Sequence, residues 1–180
     1  MSIEVSPTQS GTPFNLKFCF EPRSRLFGLI IGINKYQSDG IPDLQGCKLD
    51  AQSIVDLLSQ KLHIRSSHFL CLADERATRR AIIDGFEHHL IENENIEHGD
   101  VMIIYYAGHG SRPTAPKGWV ADDNKVETIC PHDERTLDCN GEEIFGIPDR
   151  TICGLLRKLC KFKGDKIVRM TCYFTSSLLD

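Results

Sequence analysis

The chain has 180 residues, 41% hydrophobic and 26% charged, with a formal net charge of -4 and a pI near 6.0. That length suits one domain built on one sheet-centred core, and the composition is that of an ordinary soluble globular protein. The acidic balance gives no electrostatic ground for a nucleic-acid or anionic-membrane partner, and the absence of a long apolar run or a basic-then-apolar leader predicts neither a membrane span nor a signal peptide.

Residues 1–25 are rich in Ser, Thr and Pro and read as a flexible N-terminal segment. Within them Phe14, Leu16, Phe18 and Phe20 alternate with polar or small residues, which equally suits a short strand laid against the body. The domain proper is expected over 26–180. Leu26, Phe27, Leu29, Ile30, Ile31 and Ile33 predict a strand buried on both faces. Ala51, Ile54, Val55, Leu58 and Leu62 predict a helix over Asp50 to Leu62, and His68 to Ala73 a second short strand. Thr78 is the expected N-cap of a helix whose Ile82, Ile83, Phe86 and Leu90 share one face. Val101 to Tyr106 predicts a third buried strand. Asp149 or Thr151 opens a helix through Ile152, Leu155, Leu156 and Leu159, Gly164 ends it, and Ile167 to Phe174 predicts a fourth strand. The alternation predicts an α/β fold: a doubly wound, mainly parallel sheet with helices on both faces and the third and fourth strands as neighbours.

The segment Ser111 to Pro148 is too long for an idle connection in a compact domain. Its centre sets Asp122, Asp123, Glu127, Asp133, Glu134, Asp138, Glu142 and Glu143 against Lys125 and Arg135 alone, a bias that suits cations or basic peptides, or simply a solvated acidic loop. The eight cysteines contain no C-x-x-C pair, so a structural zinc site is not expected. Nothing points to export, and most of them read as small buried hydrophobes of a cytoplasmic protein.

Ligands of open parallel sheets bind beyond the carboxyl ends of the strands. The third strand ends in YYAGHGS, which exposes His109 at that edge between Gly108 and Gly110; the glycines clear space for a substrate and leave the Gly110 N–H to point at it. The fourth strand leads to Cys172. On a neighbouring strand its thiol could face His109 as a thiolate–imidazole pair requires, although such a cysteine alone is more often a buried core cysteine.

FGLIIGINKY, LQGCKLDA, DVMIIYYAGHGS, ICPHDE and GIPDRTI, in that order, resemble successive motifs of the caspase-like cysteine peptidases, metacaspase branch, from about Leu26 to about Val168. The resemblance implies a caspase-like α/β fold, a Cys–His dyad and hydrolysis of peptide bonds through a thioester. It implies His109 as the catalytic histidine and the Gly110 N–H as oxyanion donor. Metacaspases cleave after Arg or Lys, often with calcium help; Asp50 sits where the family places one pocket carboxylate, and Asp122 and Asp123 are the acidic-loop residues such a calcium site would use. No cofactor is otherwise required, and the implied partners are protein or peptide substrates.

The family reads D-[SC]-C-H-S-G after its fourth strand. A gapless alignment from GDKIV puts Phe174 at the nucleophile, Thr175 and Ser176 at the following His and Ser, and Cys172 on the pocket Asp. A two-residue slip makes Cys172 the nucleophile, with neither flank matching. The family continues for two more strands, so a domain lacking its C-terminal part is expected. Two functions follow: an endopeptidase using His109 and Cys172, or a catalytically inactive module that binds partners or regulates a full-length paralogue. No Gly-rich phosphate loop follows any strand, which sets aside a nucleotide-binding domain.

Overall fold

The computed structural model describes residues 25–121 and 123–174, so the strand expected at Phe14 to Phe20 lies outside the described residues. In chain order the elements are β1 (Leu26–Gly32), α1 (Cys47–Asp56), β2 (Phe69–Ala73), α2 (Arg79–Asp84), β3 (Val101–Ser111), β4 (Thr128–Ile129), β5 (Ile147–Pro148), α3 (Asp149–Lys163) and β6 (Ile167–Phe174). Both α1 and α2 run on into π-helical turns, at Leu57–Lys61 and Gly85–Ile91.

The fold is mixed α/β. β1 pairs in parallel with β2 on one edge and with β3 on the other, and β3 also pairs in parallel with β6. The same β3 residues bond β1 and β6, so these two strands flank β3 from opposite sides. Past the end of β1, β3 continues and pairs antiparallel with β4, which pairs with β5. The expected neighbourhood of third and fourth strands is therefore present as β3 and β6.

β1 is buried along its whole length because both its faces are covered. Phe27, Leu29, Ile31 and Ile33 join one core with Ile82 and Phe86 from the α2 segment and Ile152, Leu155 and Leu159 of α3. Leu26 and Ile30 join another with Cys47 and Ala51 of α1, Leu58, Tyr105 and Ala107. The period-two alternation of the strand sorts its side chains between the two cores.

Several boundaries differ from the sequence expectation. α1 begins at Cys47, three residues before Asp50, because Gly46 takes a φ of 114° that turns the chain into the helix. Thr78 caps α2 as expected, its Oγ1 accepting the Ala81 N–H at 3.2 Å. β3 runs five residues beyond Tyr106, since Gly110 and Ser111 find partners in β4. The long acidic segment is not bare loop: it holds β4, β5 and isolated bridges at Thr114–Lys125 and Leu137–Glu143.

The cysteines correct another expectation. Of the seven described, Cys47 and Cys130 are buried, Cys71 and Cys153 half-buried, and Cys139, Cys160 and Cys172 exposed, all as free thiols. Cys160 falls on the outer side of α3, whose buried stripe is Ile152, Leu155 and Leu159, and Cys139 lies in the turn closed by the Gly141 N–H on the Asp138 carbonyl. Among the described residues no helix is long and apolar enough to cross a membrane.

Candidate active site

His109 stands inside β3 and is 2% exposed, not an open edge residue as its position in the sequence suggests. The chain leaving β1 covers it. Its backbone N–H donates to the Tyr36 hydroxyl at 2.8 Å, and the Tyr36 ring tilts 49° against the imidazole at 5.2 Å between centroids. Nε2 lies 2.9 Å from the Pro42 carbonyl oxygen. A carbonyl only accepts, so this bond fixes the tautomer with the proton on Nε2 and the lone pair on Nδ1. The His109 carbonyl accepts from the Tyr106 hydroxyl at 2.7 Å and from the Cys130 N–H at 3.0 Å.

Gly108 has a different purpose from the one expected. A Cβ there would stand 2.6 Å from the Tyr106 hydroxyl oxygen and 3.1 Å from that of Tyr36, so its missing side chain makes room for the two phenols that hold His109. Burial pushes both phenols well above the ordinary tyrosine range, which keeps them protonated.

Asp74 anchors the covering segment. It is 4% exposed, its Oδ1 accepts the Asn34 and Lys35 N–H groups at 2.8 and 3.0 Å, and its Oδ2 meets Lys48 Nζ at 2.8 Å. Sequence reasoning missed Tyr36, Pro42 and Asp74. Tyr36 was visible within the GINKY motif without a role, while a main-chain carbonyl and the Asp of a short polar turn carry no sequence signal at all.

The register of β6 against β3 places the two residues opposite the site. His109 pairs with Phe174, and Cys172 pairs with Ala107. Paired residues of a parallel ladder share a face, so Cys172 and His109 lie on the same face of adjoining strands, offset by two residues, about 6–7 Å along the strand. Cys172 is exposed. Gly110 pairs with Ile129 of β4. The bond from the Cys130 N–H to the His109 carbonyl shows that residue 109 turns its carbonyl toward β4, so the next N–H, that of Gly110, turns toward the β6 side.

Asp50 is exposed in the first turn of α1. Burial pushes the Cys47 thiol up to about 11, with Asp50 and Cys172 adding to the shift. Burial likewise raises Tyr105, again helped by Asp50 and Cys172. The structure thus brings Asp50, Cys47, Tyr105 and Cys172 into one electrostatic neighbourhood. It does not bring Asp123 there. Asp123 is exposed and taken up by Arg112 at 2.6 Å and the Lys125 N–H at 3.1 Å; Asp122 lies outside the described residues. Among the described residues no three His, Cys, Asp or Glu side chains group as metal ligands.

Comparison with known proteins adds the family. The family model of the metacaspase peptidase C14 domain matches residues 28–176. No curated protein matches the chain. Among solved structures, the chain is similar to protein GSU0716 from Geobacter sulfurreducens, with a TM-score of 0.59 at 19% identity, over 82% of this chain and 48% of that one. The chain therefore spans about half the length of that structure, and at this identity the likeness is one of fold.

Proposed function

This chain belongs to the metacaspase peptidase C14 family, and from that premise we propose that it is a caspase-like, doubly wound domain that keeps the base and the substrate side of a cysteine-peptidase site and binds peptides ending in Arg or Lys without hydrolysing them. The observation that carries this reading is the register of β6: position 174, not 172, stands opposite His109, and it is a phenylalanine. A thioester mechanism needs a thiol within hydrogen-bond reach of its base. The Nε2–Pro42 bond supports His109 as that base, since it presents Nδ1 as the accepting nitrogen. The direction of the Gly110 N–H supports an oxyanion donor on the same edge. Asp50, exposed beside Cys47 and Tyr105, offers a carboxylate for a cationic side chain, which supports the preference for Arg or Lys.

A second reading has its own support. Cys172 shares the face of His109 and is exposed, so a shift of β6 by two residues would bring its thiol to the imidazole. Alkylation separates the two. An Arg-ended peptide with an acyloxymethyl ketone transfers its peptidyl group to an activated thiolate and expels the carboxylate, and intact mass reports the adduct. The parent chain should bind the plain peptide in an Asp50-dependent manner yet gain no adduct, with Cys172→Ala indistinguishable from it. Phe174→Cys should gain an adduct that His109→Ala removes. An adduct on the parent, lost in both Cys172→Ala and His109→Ala, would replace the binding module with a working Cys172–His109 dyad.

A further inference from the structure

A second polar cluster lies against the His109 end of β3, and the reading above makes no use of it. Glu134 is 5% exposed, and its Oε2 is buried with no hydrogen-bond partner. Gly146 packs so closely that a Cβ there would stand 3.1 Å from that oxygen and 2.7 Å from Thr128 Oγ1. The carboxyl interacts with the thiol of Cys130, which is itself fully buried and interacts in turn with the Ser111 hydroxyl. Ser111 Oγ continues the chain to Thr128 Oγ1 at 2.7 Å.

Cys130 is the link to the candidate site. Its N–H donates to the His109 carbonyl at 3.0 Å. Its own carbonyl lies 3.0 Å from the Tyr106 hydroxyl, which is 2.7 Å from that same His109 carbonyl. One residue therefore separates Glu134 from the strand end that carries the imidazole. Interiors are close-packed, so a movement of Cys130 cannot be absorbed before it reaches His109.

We propose that Glu134 is a positioning residue for His109: its carboxyl, acting through the Cys130 thiol and the hydrogen bonds that join Cys130 to His109, fixes the end of β3 on which the imidazole is mounted, and does so only while it holds a proton. An ionised carboxylate at this depth with one oxygen unpartnered is costly, and such a group takes up a proton instead. Burial raises the Glu134 carboxyl above the usual glutamate range. The Cys130 contact and Arg135 oppose that rise, and Asp133 and Glu143 add to it. The direction sets the sign. The folded state holds this proton more tightly than the unfolded chain, so the arrangement is favoured at low pH and loosens as pH rises through the folded value. On ionisation the carboxylate needs a donor or water, and the Cys130 segment must move to supply one.

The role given to His109 rests on the peptidase-site reading, whereas the test reads positions and no cleavage, so failure of either is told apart. In the full chain with 13C-labelled glutamate, the Glu134 carboxyl resonance should titrate above the ordinary glutamate range. The amide shifts of Cys130 and His109 should follow with the same midpoint. Glu134→Gln, neutral at every pH and of the same shape, should hold His109 at its low-pH shifts throughout and melt higher than the parent above that midpoint. Glu134→Ala should displace the His109 shifts at every pH; if it fails to fold, the parent titration and the Gln variant decide alone. A Glu134 that titrates with ordinary glutamates, His109 shifts that ignore its titration, or a Gln variant that keeps the parent's pH dependence would each overturn the proposal.

Discussion

His109 can donate from Nε2 to the Pro42 carbonyl only because the chain between β1 and α1 is drawn against β3, and Asp74 does the drawing. Removing its carboxylate leaves two backbone N–H groups and Lys48 without their acceptor. Hydrogen bonds to charged groups contribute about 1.5–3 kcal/mol each, so losing the two N–H bonds alone should make Asp74→Ala less stable by about 3–6 kcal/mol in urea denaturation. Burial alone would raise this carboxyl, but Lys48 and the two N–H donors outweigh it and hold it below the usual range. Its folded value thus lies under its unfolded value: its stabilisation is complete above the ordinary carboxylate range and fades as pH falls through the folded value, and the Ala variant should lack that part of the acid dependence. At this scale the sequence singles out a candidate and not its surroundings. His109 is legible as a candidate through the YYAGHGS motif, since a histidine between glycines is by itself equally an ordinary loop residue. Asp74 is not, because its work is done on backbone atoms forty residues earlier in the chain, contributed by the loop that opens after β1.

Among the elements, β1 and α1 meet more closely than side chains usually allow. A Cβ on Gly32 would lie 2.7 Å from both Ala51 Cβ and the Cys47 carbonyl oxygen, so the helix rests directly on the strand backbone. Neither neighbour can step aside, since one is helix backbone and the other is on the buried face of the same helix. Gly32→Ala should therefore push α1 outward and cost about 1–3 kcal/mol. For a chain of this size that corresponds to a fall of roughly 2–12 °C in melting temperature, read by circular dichroism. Because Asp50 and Cys47 ride on α1, the same variant should weaken the proposed Asp50-dependent peptide binding. The elements themselves were largely legible, since β1 and β3 are short apolar runs of strand length and α3 carries a helical stripe. Their registers were not. Whether Cys172 or Phe174 faces His109 depends on a two-residue slip of β6 that keeps every side chain on its own face, so alternation along the strand is blind to it. The β3–β6 pairing decides, and it is a contact between segments some sixty residues apart.

Over the whole molecule the acidic segment between β3 and β5 looks in sequence like one concentrated charge, and the fold disperses it. Asp123 is held by Arg112 and the Lys125 N–H near the start of the segment. Asp133 turns away to accept the Arg79 N–H at 2.7 Å at the head of α2. Glu134 goes inward beside Cys130. Asp138 closes its own turn, accepting from the Asn140 and Glu142 N–H groups at 2.8 and 2.9 Å. These four carboxylates are thus engaged with different parts of the protein, and among the described residues no shared oxygen cage forms. Calcium takes six to eight oxygen ligands, so binding here would require several of these partnerships to break together. A ligand that prefers the folded state raises the melting temperature by an amount set by its concentration over its dissociation constant, which makes thermal unfolding a direct readout. We expect millimolar calcium to leave the melting temperature of the full chain where millimolar magnesium leaves it. Arg112→Ala, which releases Asp123 from its ion pair, gives the site its best opportunity to form. A calcium-specific rise in the parent would show that the acidic segment regroups around the ion. A rise confined to Arg112→Ala would show that this arginine occupies the place of the cation.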